Sequence, residues 1–174
     1  MTGYKEALRW DITANADHPA SLYDAASAYE EVIQEEDAPL DAFVNLAVLY
    51  WNCLDPGFNA GWQLSNAFIR LAGERYKTVL YAAEERFGYK RETEFWKLYF
   101  DYVTLGEPEF NSQCEALVAE PMDSLVPYFY LYSRPNGQVH WQQALELLGS
   151  CKLVLTIKNR YIISVMEGEA RRRN

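Results

Sequence analysis

Proline and glycine interrupt this chain repeatedly, and between the interruptions the apolar residues recur at three and four positions rather than alternating. That pairing confines the chain to short helices joined by tight turns. The breaks fall at Asp37, Ala38 and Pro39, at Asp55, Pro56 and Gly57, at Gly88, at Gly106, Glu107 and Pro108, at Pro121, and at Pro135, Asn136 and Gly137.

Asp17 or His18 followed by Pro19 reads as a helix start, since proline suits a first turn whose amide has no partner. Residues 20–36 then carry Leu22, Ala25, Ala26, Tyr29, Val32 and Ile33 on one face, with Asp24, Glu30, Glu31, Glu35 and Glu36 mostly elsewhere. Phe43, Leu46, Ala47, Tyr50 and Leu54 mark a second helix. So short a link implies an antiparallel pair.

From about residue 60 to Phe87 helical spacing holds through Phe68, Ala72, Tyr76, Val79, Leu80 and Ala83, as one long helix or two short ones around Gly73. A further helix is expected from Arg91 to Leu105, and amphipathic segments near 110–119, 123–133 and 138–148. Residues 150–166 read as a helix with Leu153, Ile157, Tyr161 and Val165 in a stripe behind a Ser150 cap, or as two strands about Lys158, Asn159 and Arg160. The helix is preferred, because a lone hairpin would have no sheet to join.

The expectation is one all-α domain over residues 1–174. Its helical hairpins span roughly 19–54, 60–105 and 110–148, before a C-terminal segment 150–168 and a basic tail 169–174. Thirteen Tyr, eight Phe and five Trp supply a core without disulfides or metals.

A net charge of −9 argues against nucleic acid or anionic lipid as partner, and Arg171, Arg172 and Arg173 suit a solvated helix end. No stretch is long and apolar enough for a membrane span, and Met1 to Thr13 lack the apolar centre of a signal peptide, so a cytoplasmic protein is expected. Cys53, Cys114 and Cys151 are odd in number and far apart, which favours buried thiols over disulfides or zinc.

Within residues 22–50, Phe43, Leu46, Ala47 and Tyr50 follow an aromatic, Leu, small, Tyr spacing, and Ala25 and Tyr29 stand at the matching places in the preceding helix. This stretch resembles the second helix of one tetratricopeptide repeat and the first helix of the next. Phe95, Leu98 and Tyr102 repeat the spacing, with Tyr99 where a small residue belongs. The resemblance implies hairpins stacked as a short tetratricopeptide-like superhelix, and an irregular helical bundle stands as the alternative.

The resemblance further implies a groove lined by Asp41, Val44, Asn45, Val48 and Trp51, followed by Trp96, Lys97, Phe100 and Val103. A cation count this low suits an apolar or basic peptide. A stripe at helical spacing is also the signature of core, which applies to Trp51 and Trp96, and Asn45 equally suits an inter-helix hydrogen bond.

Catalytic patterns are missing. His18 and His140 have neither a Glu three residues before them nor a His four away, and no nucleophile elbow, phosphate loop or dinucleotide fingerprint occurs. The acid pairs Glu30 and Glu31, Glu35 and Glu36, Glu84 and Glu85 sit on polar faces, where nothing raises a carboxyl for acid–base work. The expected role is a protein-binding module, adaptor, chaperone-like or regulatory, with no cofactor. An acidic inhibitor or immunity-type protein against a basic enzyme is the alternative, and self-association as a homodimer would bury spare aromatic surface.

Overall fold

The computed structural model describes residues 2–119 and 123–173. Among these the chain forms ten α-helices and no strand. In order they are α1 (Thr2–Thr13), α2 (Ala20–Val32), α3 (Leu40–Asn52), α4 (Pro56–Gly61), α5 (Asn66–Phe87), α6 (Arg91–Leu105), α7 (Phe110–Val118), α8 (Pro127–Ser133), α9 (Trp141–Leu153) and α10 (Ile157–Arg173). The break expected at Pro121 lies outside the described residues.

Local chemistry fixes several helix ends. Asp55 Oδ1 accepts from the Phe58 amide at 2.7 Å to start α4, and Ser65 Oγ accepts from the Phe68 amide at 3.2 Å to start α5. Gly106 closes α6 at φ 73°, a left-handed conformation glycine adopts without steric cost.

Three sequence expectations shift. The interval from 60 to 87 resolves into the end of α4 and one continuous α5, because the Ser65 cap interrupts it. Ser150 caps nothing: it lies inside α9, where its hydroxyl donates to the Glu146 carbonyl at 3.0 Å. The 150–166 segment is helical, as preferred, but broken between Leu153 and Ile157, so Leu153 ends one helix and lies 85% exposed instead of leading a stripe.

The described residues fall into two compact units, one comprising the chain up to Gly88 with Thr156–Lys158, the other Tyr89–Leu155 and the chain from Asn159. In the first unit α1 packs along α2, α3 along α5, and α2 also meets α3, so neighbouring helices stack as in a helical-repeat arrangement. Helix α3 is its centre: every residue from Ala42 to Tyr50 is buried, as required of a helix enclosed on all sides. The small Ala25, Ala26 and Ala47 let helices approach, and Tyr29, Phe43 and Tyr50 fill the space between.

The second unit is built on aromatic rings. Phe95, Trp96, Tyr99 and Phe100 of α6 pack against Phe110 of α7 and Phe129 and Tyr130 of α8, with Tyr99 and Phe129 centroids 5.2 Å apart and edge to face. The Tyr99 and Tyr161 hydroxyls hydrogen-bond at 2.6 Å, tying α10 to this cluster.

Candidate functional site

The residues expected to line a groove lie mostly inside. Val44 and Val48 are fully buried in α3, and Trp96 and Phe100 are fully buried in the aromatic cluster. These four therefore fill core, because each sits on a face that another helix covers. Asn45 is an inter-helix hydrogen bonder, its Nδ2 donating to the Tyr29 hydroxyl at 3.2 Å. Trp51 is half-buried, and Lys97 is held at 2.7 Å by Glu94. Only Asp41 and Val103 are exposed.

A concave surface of the first unit lies between α1 and α2. It encloses about 350 Å³ and is lined by Gly3, Glu6 and Trp10 from one side, and by Asp24, Ser27, Ala28, Glu31, Val32 and Glu35 from the other. Positions 3, 6 and 10 share one face of α1, and 24, 28 and 31 share a face of α2, with Glu35 just beyond that helix. The opposite side of α2, carrying Leu22, Ala25, Ala26 and Tyr29, is core, so the groove is the rim left beside the α1–α2 contact. A side chain at Gly3 would meet Glu35 Oε1 at 2.5 Å, and glycine there keeps that end open to the carboxylate.

Charge concentrates here. Residues 1–41 hold ten acidic and two basic residues, a balance of −8 out of −9 for the chain. Residues 42–174 are thus nearly neutral, with fifteen acidic and fourteen basic. The groove is lined by Glu6, Asp24, Glu31 and Glu35 together with Trp10. Glu6 pairs with Arg9 at 3.2 Å on the open surface, and the Arg9 guanidinium lies 5.5 Å from the Trp10 ring centre. A groove that holds an indole and four acidic residues suits an ammonium or guanidinium group, which gains from both the ring and the charges.

Other acids are committed to structure. Glu30, beside the groove in sequence, receives Arg75 through both oxygens, at 2.9 and 2.6 Å, and the Tyr50 hydroxyl at 3.0 Å. Hydrogen bonding to Glu30 raises the Arg75 pKa above the ordinary arginine value. Arg86 caps the turn after α2 by donating to the Ile33, Glu35 and Glu36 carbonyls. Burial pushes the Cys53 and Cys114 thiols up to about 12, which holds both as inert SH groups. Among the described residues no three His, Cys, Asp or Glu side chains converge as a metal site would require.

The sequence reading passed over α1, and with it Gly3, Glu6 and Trp10. Tyr4, Ala7 and Leu8 do carry helical spacing, but the next core position is Asp11, whose charge hides the stripe. The fold and site together define an all-α protein of stacked helices with an acidic groove at its first helix pair. No protein-family model, curated protein or solved structure matches the chain. No helix among the described residues is long and apolar enough to cross a membrane.

Proposed function

We propose that this chain is a non-enzymatic protein-binding module that holds a Lys- or Arg-bearing segment of a partner protein in the α1–α2 groove. The observation that carries this reading is the presence of Glu6 and Trp10 on one side and Asp24, Glu31 and Glu35 on the other side of a 350 Å³ groove. Carboxylates steer a basic segment to the site and the indole gives it an apolar contact. The tetratricopeptide-like spacing of Ala25, Tyr29, Phe43, Leu46, Ala47 and Tyr50 supports an adaptor or chaperone-like module, a class that presents peptide-binding surfaces. Three buried thiols accord with a reducing, cytoplasmic setting.

A second reading uses the same charge differently. Asp17, Glu36, Asp37 and Asp41 are exposed outside the groove, and such a broad acidic surface would suit an inhibitor that blocks a basic enzyme. The two readings separate on where binding energy resides: in the groove for a module, spread over the surface for an inhibitor.

Fluorescence anisotropy with a labelled Lys- and Arg-rich peptide, against an acidic peptide of equal length, tests the first reading. Binding to the basic peptide alone is expected, weakening as salt rises. A Glu31→Gln, Glu35→Gln variant should lose up to about thirtyfold in affinity, since exposed ion pairs are worth up to roughly 1 kcal/mol each. Equal binding of the acidic peptide, or full affinity in the variant, would sink the groove reading.

A further inference from the structure

The groove beside the α1–α2 contact has a direction. A side chain at Gly3 would touch Val32 as well as Glu35, so the start of α1 lies beside the end of α2. The short link over residues 14–19 fits two helices that run antiparallel. Gly3, Glu6 and Trp10 line one wall, and Asp24, Ser27, Ala28 and Glu31 line the other. On both helices these positions recur at three and four, so each wall is a row that follows its helix axis. Ser27 and Ala28 are small and let another backbone come close, while Asp24 and Glu31 are exposed on either side of them in the row.

Asp24 and Glu31 lie seven residues apart, about two turns or roughly 10 Å along α2. A helix laid along the groove advances at the same rise. Cations seven residues apart on one of its faces therefore meet both carboxylates. An extended segment advances about 3.3 Å per residue and covers that distance in about three residues. Its side chains alternate, so when one cation meets Asp24, the side chain that reaches the level of Glu31 points to the opposite face.

We propose, taking this groove as the binding site, that the Lys- or Arg-bearing segment it holds is an amphipathic helix lying along the α1–α2 pair. Two basic residues seven apart face Asp24 and Glu31. Small or aliphatic residues three and four positions after the first lie over Ser27 and Ala28, and the half-buried Trp10 gives that stripe an aromatic contact.

Fluorescence anisotropy with the full chain and three labelled peptides of about 15 residues tests the helix. All carry two lysines in an otherwise Ala- and Leu-rich sequence. In the first peptide the lysines are seven apart. In the second a proline replaces a residue midway between them, which breaks the helix and keeps the charges. In the third they are five apart, about 140° from each other around a helix. The first should bind at least about tenfold more tightly than the other two and gain helical circular dichroism when bound. Asp24→Lys should abolish that preference, and replacing the lysine at one end of the peptide by Glu, but not at the other, should restore it. Equal affinity of the proline peptide overturns the helix and leaves a basic segment in the groove. So does failure of all three peptides where a Lys- and Arg-rich peptide of no fixed spacing still binds. Failure of every basic peptide overturns the helix and the groove together.

Discussion

The Tyr29 hydroxyl donates to Asp11 Oδ2 at 2.9 Å, and both residues are fully buried. The Tyr29 hydroxyl oxygen in turn accepts from Asn45 Nδ2, so one phenol links α1, α2 and α3. Asp11 Oδ1 accepts from the Ile157 amide at 2.7 Å, which ties the start of α10 into the same unit. A charged residue thus stands in a core position because its lone pairs are answered there.

Tyr29→Phe removes that answer while keeping the ring. It removes one hydrogen bond from the buried Asp11 carboxylate and one from the Asn45 amide, and should cost about 1–3 kcal/mol. The shift in the urea midpoint measures it. An unchanged midpoint would mean that the phenol contributes only its ring.

Alkaline pH should unfold the protein through its buried acids. Burial raises Tyr29, Tyr50 and Tyr99 above the ordinary tyrosine value, Tyr130 to about 12, and Cys53 and Cys114 to about 12 from 9.0. Each group keeps its proton in the folded state at a pH where the unfolded chain has lost it. The unfolded state then binds fewer protons, so stability falls as pH rises. The contribution is complete below the unfolded thiol value of 9.0 and is lost through about 12 for the two cysteines. Melting temperature should be flat from neutral pH to about 8.5 and drop steeply above it. Both thiols should resist iodoacetamide in the native protein and react once urea unfolds it.

Much of the fold was legible because helix stops and apolar spacing are local signals. Pro19, Pro39, Gly88 and Gly106 mark real boundaries. The spacing of Ala25, Tyr29, Phe43, Leu46, Ala47 and Tyr50 picked out six residues of α2 and α3 that are all buried. The groove was not legible for a related reason. Spacing identifies an apolar face and leaves open which neighbour covers it, so Val44 and Val48 read equally as core or as lining. The covering helix for the other pair, α1, was hidden by Asp11, whose place in the core depends on a tyrosine 18 residues away and an amide 146 away.

Val48→Asp separates core from lining on α3. Val48 is fully buried, so an unpaired carboxylate there should cost several kcal/mol and abolish the cooperative melt followed by circular dichroism. Asp41→Ala, on the exposed first turn of the same helix, should stay within about 0.5 kcal/mol of wild type. A folded Val48→Asp protein would show that this face of α3 opens to solvent.

Two glycine replacements should move stability in opposite directions. Gly73 lies inside α5, and a side chain there would touch only Leu54 Cδ2, at an ordinary 3.5 Å. Gly73→Ala therefore relieves the backbone entropy of an exposed helical glycine and should add about 1 kcal/mol. Gly137 is buried where the chain turns after α8, against the Leu131 and Tyr132 carbonyls. Backbone atoms cannot swing aside as a side chain can, so Gly137→Ala must displace the turn and should cost about 1–3 kcal/mol or more. Thermal melts of the two single variants decide the matter. A stabilised Gly137→Ala would mean that the turn after α8 has room to shift, and a destabilised Gly73→Ala would mean that the Leu54 contact is tighter than the spacing allows.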